Sequence, residues 1–448
     1  MKRILIIVLL LAPLMIFAQG LFESSVQDKE EKKQATSLEI NGYVRGSAYL
    51  VAENYAYSPV FSEFRLKGEL SKKRTYLLSD LRLRAGYDLG EDFTRIQVKE
   101  LYAGYGGEKL DVRLGNQIVT WGRTDGFNPT NNITPVDYFF LSADPDDQTL
   151  PNFMVRMKYR FNSAMELDVV GIPVYRPSVY RFDLFDLGSN VHFGDFTRPE
   201  KSFKNGSLAA RLNVDLPKSG FSVSWFRGYD PFYGFDVKII NWSEGYPVVT
   251  NAGTPYLKNT LGADLSVPAG SWITRAEAAL NLIDDAEGNM YMPNSDLSYV
   301  LGLERNLKGF NIILQYIGKY TFDFSDPAPP FLLDPADPIA RLTFANEQIC
   351  YESLLFNRRI FYQQEKTNHA LALTISRFFV YETLNAEFSA YYNFTSEEYL
   401  LRPKLEWKIS DGLSAIVGYS FMDGPEKSLF EYSRPIMNGG FIQLKTSF

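Results

Sequence analysis

From Leu38 onward the chain is a succession of segments in which apolar and polar residues alternate, and every second break between them is a tight turn. In order the breaks are ENYAYSP, SKKR, DLGED, GGEK, the long stretch from about 119 to 151, FNS, the long 173 to 204, PKSG, 229 to 255, VPAG, 283 to 294, NLKG and the very long 322 to 365. Successive strands of a membrane barrel end on opposite sides of the bilayer, with short turns on the periplasmic side and longer loops outside. A soluble sandwich has no reason to keep that parity. The pattern predicts an all-β fold over 38–448, a transmembrane antiparallel up-and-down β-barrel of roughly 18 strands, with 16 as the alternative count.

The segments have the length a tilted spanning strand needs, ~9–11 residues, and side chains alternate between the two faces of a strand. In SDLRLRAGY, Leu81, Leu83, Ala85 and Tyr87 share one face while Asp80, Arg82 and Arg84 share the other. FMVRMKYRF sets Phe153, Val155, Met157, Tyr159 and Phe161 against Arg156, Lys158 and Arg160. SLAARLNVDL repeats the division, with Leu208, Ala210, Leu212, Val214 and Leu216 opposite Arg211, Asn213 and Asp215. The final GGFIQLKTSF ends on Phe448. A terminal strand closing on an aromatic residue resembles the signal read by the outer-membrane barrel assembly machinery, an expected partner beside outer-membrane lipid.

Lys2 and Arg3 precede an apolar run from Ile4 to Phe17, shorter than the ~20 residues of a membrane helix, and small residues follow at Ala18-Gln19-Gly20. Residues 1–18 read as a cleaved signal peptide. Residues 19–37, with QDKEEKKQATS, read as a polar periplasmic tail too short to plug a barrel. Aromatic residues make up 15% of the chain, with 28 Tyr and 34 Phe, which fits the aromatic girdles of an outer-membrane barrel. A net charge of -7 excludes the basic face that a nucleic-acid partner requires. The expected location is the outer membrane of a diderm, Gram-negative-type bacterium.

With the apolar faces toward lipid, the opposite faces line a lumen. Arg82, Arg84, Arg113, Arg156, Lys158, Arg160, Arg211, Arg275, Arg402 and Lys404 fall there, with Lys408. Asp80, Asp111, Asp215, Glu277 and Glu406 are fewer. The set reads as pore-lining in a net basic lumen suited to small polar solutes, anions among them, against the alternative of a salt-bridge network that merely fills the barrel.

The third outer connection, QIVTWGRTDGFNPTNNITPVDYF, is dense in turn formers: Asp125-Gly126, Asn128-Pro129 and Thr134-Pro135. Such a loop is compact. It is expected to fold against or into the barrel mouth as a constriction carrying Trp121, Arg123, Asp125, Asn128 and Asp137; the competing reading is a surface lid with Trp121 in the outer girdle. In the seventh outer connection, Asp337-Pro338 suits a helix start and no Gly or Pro follows from Ile339 to Gln363, so a short amphipathic helix is expected there, with two extra strands as the rival.

The run LDVRLGNQIVTWGRTDGFNPTNNITPVDY resembles the strand-WG-loop-NP-D pattern of an uncharacterised family of porin-like outer-membrane barrels. SYVLGLERNLKGFNIILQYIGKY and the run from NHALALTISRFF to FMDGPEKSLF resemble two further blocks of that family. The resemblance implies the barrel fold, and for some members a link to lipid or hydrophobic-solute transport. Arg82 and Arg84 stand where acidic residues are common in the family, so a shared solute preference does not follow.

Catalysis finds little footing. His192 and His369 are the two histidines, Cys350 is the single cysteine, and no metal-ligand spacing, GxSxG, phosphate loop or cofactor fingerprint is present. Asp144, Asp146 and Asp147 could hold Ca²⁺, but a solvated loop is the better account. The sequence therefore points to a porin-like channel without cofactor, metal or catalytic residues. A non-conducting barrel partner of a lipid or hydrophobic-molecule transport system is the first alternative. A membrane-embedded hydrolase using His369 is the second.

Overall fold

The computed structural model describes residues 36–448 except Glu244, Asp285 and Glu287; the signal-peptide reading and nearly all of the tail at 19–37 fall outside the described residues. In chain order the strands are β1 (Ser37–Val51), β2 (Val60–Lys72), β3 (Thr75–Asp88), β4 (Glu91–Gly106), β5 (Leu110–Gln117), β6 (Asn152–Arg160) and β7 (Met165–Ile172). There follow β8 (Val191–Phe193), β9 (Ser207–Leu216), β10 (Ser219–Tyr229), β11 (Gly234–Asn241), β12 (Val248–Thr254), β13 (Leu257–Ala269) and β14 (Trp272–Ile283). The last seven are β15 (Asp296–Leu307), β16 (Phe310–Thr321), β17 (Thr367–Phe379), β18 (Leu384–Asn393), β19 (Tyr399–Lys408), β20 (Leu413–Asp423) and β21 (Gly439–Ser447).

Eighteen of these strands pair in one antiparallel sheet, and β21 returns to pair with β1, so the sheet closes. The other three, β8, β11 and β12, form a separate small sheet in the outer connections. The strand number and the parity of turns and loops agree with the sequence pattern. Tight turns form where the residues permit them. Between β15 and β16, Lys308 and Gly309 take φ of 51° and 85°, the left-handed pair that a two-residue hairpin turn demands.

The barrel is apolar outside and charged within. Leu83 is 46% exposed while its chain neighbour Arg84 is 2% exposed, the reverse of a soluble sheet. Alternation breaks at one place that matters. In β4 the register shifts so that Asp80 faces Glu100 and Leu81 faces Val98, leaving Lys99 as an extra bulged residue. Two successive charged side chains, Lys99 and Glu100, thereby take inward positions.

The expected helix in the seventh outer connection is present and longer than anticipated: α1 (Pro338–Ile360) has 23 residues, and the Asp337 carboxylate caps it by accepting from the Ile339 and Ala340 N–H groups. A second helix, α2 (Leu429–Met437), was not anticipated. Its Ser428 and Glu431 form the S-x-x-E spacing of a capping box, with Ser428 Oγ accepting from Glu431 N. Rings from two outer connections pack beneath α1: Phe182 meets Phe356 edge-on at 5.5 Å and Phe235 at 5.3 Å, and Phe232 meets Phe361 at 5.5 Å. Asn357 fixes the helix to β11, its Oδ1 accepting from Phe235 N (2.8 Å) and its Nδ2 donating to Phe235 O (2.7 Å).

The outward assignment predicts a specific cost. Leu81→Arg, near the middle of β3, should destabilise the folded barrel by ~2–4 kcal/mol in denaturant titrations in lipid vesicles, whereas Leu81→Val should leave it nearly unchanged. Equal effects of the two changes would contradict lipid exposure of this face.

Candidate functional site

β5 stops at Gln117, and residues 118–151 turn into the barrel before β6 begins. The neck is fastened by Thr134, whose Oγ1 accepts from Val119 N (3.0 Å) and donates to Val119 O (2.7 Å). Trp121 is 2% exposed inside the barrel, packed with Val119, Ile133, Met154 and Val170, and its Nε1 donates to Asp168 Oδ2 at 3.2 Å. This corrects the placement of Trp121 in an outer girdle: an indole with a carboxylate acceptor on the inner wall is held inward. Gly122 follows with φ of +111°, and a Cβ there would lie 2.6 Å from the Glu277 carboxylate. The Trp-Gly break is thus a turn that only glycine can make against this wall.

Glu277, on β14 and 2% exposed, is the first anchor. Its Oε1 accepts from Thr130 N (2.9 Å) and Thr130 Oγ1 (2.8 Å), and its Oε2 from Arg123 N (3.1 Å) and Thr124 Oγ1 (2.9 Å). Arg123 reaches Asp264 and Asp215, each at 2.7 Å, and Asp125 pairs with Arg275 at 2.6 Å. Asn128 Oδ1 lies 2.8 Å from Thr124 Oγ1, and the Phe127 ring stacks on Tyr391 of β18 at 5.6 Å. Asp137 lies elsewhere: it accepts from Phe139 N at 3.2 Å and its backbone bridges to Val179 of the next outer connection, and burial pushes its carboxyl above the usual range.

Asp147 is the second anchor. Its carboxylate meets Arg45 of β1 at 2.8 Å and Arg82 and Arg84 of β3 at 2.7 and 3.3 Å, and accepts from Ser142 Oγ at 2.5 Å. The bulged Lys99 donates to the carbonyls of Asp146 (2.7 Å) and Thr149 (2.5 Å), and Arg402 of β19 donates to Ser142 O (2.9 Å). The expectation of a solvated acidic loop at Asp144–Asp147 is therefore wrong for Asp147, which is 3% exposed. Burial alone would raise its pKa, but Arg45 and then Arg84, with the Ser142 hydroxyl, outweigh it and bring it down to about 2.

Of the ten predicted pore-lining cations, nine have a carboxylate within salt-bridge distance. Arg82 and Arg84 hold Asp147, Arg113 holds Asp111, Arg156 holds Asp168, and Lys158 and Arg160 share Glu166. Arg211 holds Asp264, Arg275 holds Asp125 and Glu304, and Lys404 holds Glu387. Arg402 alone has a carbonyl instead. The salt-bridge alternative raised by the sequence describes these nine cations, which meet acids that the loop and neighbouring strands bring to the lumen.

Space remains on both sides of the loop. A periplasmic vestibule of about 580 Å³ touches Arg65, Asp80 and Asp146, and two adjoining cavities of about 530 and 630 Å³ lie between the loop and the α1 layer. His369 Nδ1 shares a 2.5 Å hydrogen bond with the Tyr316 hydroxyl, and no group of three or more His, Cys, Asp and Glu suited to a metal exists among the described residues.

Closed, lipid-facing and crossed by an inward loop, the molecule has the fold of an outer-membrane β-barrel. A family described as "Protein of unknown function (DUF1302)" matches residues 27–180, a span that includes the strand-WG-loop-NP-D block. No curated protein matches the chain by sequence. Among solved structures it is similar to Pseudomonas aeruginosa OccK3 (OpdO), with 11% identity and a TM-score of 0.53 over 92% of this chain and 96% of that one. Acinetobacter baumannii OccAB2 gives 12% and 0.51 over 92% and 98%, and the outer membrane protein opdK from Pseudomonas aeruginosa gives 9% and 0.53 over 92% and 98%. At these identities the likeness is one of fold.

A carboxyl held low stabilises above its unfolded pKa of ~3.9 and loses that contribution as pH falls to its folded value. Hydrogen exchange over 141–149, corrected for intrinsic rates, should therefore show the loop tip opening between about pH 4 and pH 2. Asp147→Asn should lower the local opening free energy by ~3–5 kcal/mol at neutral pH, because buried guanidinium groups lose their acceptor. Protection that is indifferent to both changes would remove Asp147 as the anchor.

Proposed function

We propose that this chain is a porin-like channel that passes small polar solutes through a lumen narrowed by residues 118–151. The observation that carries the reading is the loop's path: it leaves one wall, is tied to β14 through Glu277 and to β1 and β3 through Asp147, and leaves cavities above and below itself. Arg123 and Asp125 form its charged face within the lumen. Arg156, Arg211, Arg275 and Lys404 belong to the lining with their carboxylate partners. Because the lining cations are paired, the channel's selectivity rests on the size and shape of the gap more than on a fixed charge.

The second reading is the non-conducting partner of a lipid or hydrophobic-molecule transport system. The ring cluster under α1 favours it, since apolar packing of that kind can close the outer mouth.

Planar-bilayer recordings of the refolded protein separate the two. The channel reading expects steady openings with weak ion preference, and a severalfold rise in conductance when Thr124 to Thr134 are deleted. A silent barrel that still shows the heat-dependent gel shift of a folded one, before and after the deletion, would decide for the non-conducting partner.

A further inference from the structure

The two adjoining cavities above the loop share Phe127, Tyr138, Phe232, Tyr362 and Phe430, so they are parts of one chamber. Their sizes lie within the ~300–1,000 Å³ usual for small-molecule sites. We infer that this chamber is a binding site for an uncharged, hydroxyl-bearing ring compound. Three features select that chemistry.

The walls are largely aromatic. Phe127 and Tyr391 stack on each other on one side, while Phe232 and Phe361 meet edge-on above. Tyr362 enters from the end of α1, where its left-handed conformation, φ 52°, ends the helix with Gln363 N donating to Arg358 O at 2.8 Å. Flat ring faces are what such walls accommodate.

Charges in the walls cancel among themselves. Lys258 meets Asp230 at 2.5 Å, and Tyr256 also donates to Asp230 at 2.9 Å. Lys319 lies 3.7 Å from Asp296, which accepts from Asn281 (3.0 Å) and Ser298 (2.7 Å). A ligand carrying net charge would be buried here without a counter-charge, at a desolvation cost that nothing in the chamber offsets.

Two amide acceptors of the lining are left over, Asn368 Oδ1 and Asn131 Oδ1. Asn368 on β17 is 6% exposed and borders the chamber, and its Oδ1 has no hydrogen-bond partner. Buried polar atoms of that kind are rarely left unmade. A ligand hydroxyl would complete it on a small rotation of the amide, since the oxygen itself is covered.

The inference concerns the same lumen as the proposed channel and rests on that reading only for how the compound arrives. Equilibrium dialysis of the detergent-solubilised full chain tests the binding alone, with resveratrol as the neutral hydroxylated probe and stilbene carboxylate as its charged counterpart. Saturable one-to-one binding of resveratrol is expected, at least tenfold tighter than the carboxylate, and weakened about tenfold by Asn368→Leu in protein that keeps the heat-dependent gel shift. A second variant, Phe127→Ala, should weaken resveratrol without restoring the carboxylate. Equal or tighter binding of the carboxylate, no saturable binding of resveratrol, or indifference to Asn368→Leu would overturn the inference. Absence of conductance alongside intact binding would overturn the channel reading and leave this site standing.

Discussion

Three guanidinium groups from β1 and β3, the strands on either side of β2, converge on one carboxylate carried by a loop, and the interior of this barrel is organised around that meeting. Arg45, Arg82 and Arg84 are almost wholly buried, where an unpartnered charge is prohibitively costly. The wall supplies Glu63 to Arg45 and Arg84, Gln443 to Arg45 and Asp80 to Arg82, and Asp147 is the carboxylate that meets all three. The strand charges and the inward loop are therefore one structure. Removing the loop would leave the wall electrostatically incomplete.

The same logic governs the rest of the lumen. Glu277 gathers donors from Arg123, Thr124 and Thr130, and Asp168 joins Trp121 to Arg156. Short-range pairs in a low-dielectric interior are directional and leave little field to act at a distance. Such a lumen discriminates through where its walls stand, while the aromatic chamber above the loop offers contact area. The two zones call on different properties of a solute.

The architecture was legible in the sequence because it rests on local rules: a period of two in the strands, a parity in the turns, and an aspartate-proline start for α1. The inward face could be read residue by residue, and Arg82, Arg84 and Arg156 stand where alternation put them. What could not be read was pairing across the lumen. Asp147 lies 65 positions from Arg82, and nothing in the run of aspartates from Asp144 to Asp147 marks which one will be swallowed by the barrel. Lys99 carried a faint signal, two consecutive charged residues in Val98-Lys99-Glu100-Leu101 that break strict alternation and mark the bulge. Asn368 and Glu277 carried none, since an inward polar residue looks the same with or without a partner.

The loop grips β14 at one end and β1 and β3 at the other, and these strands stand far apart around the sheet. A ring held across its interior behaves as a braced hoop: flattening it in one direction must stretch the brace, so the cross-section resists deformation by the surrounding lipid. The brace also dictates an order of events during assembly. Its residues precede β14 in the chain but follow β1 and β3, so Asp147 can dock on the early strands while the sheet is still open, whereas Glu277 can receive Thr130 only after the sheet has curled far enough to face its own beginning.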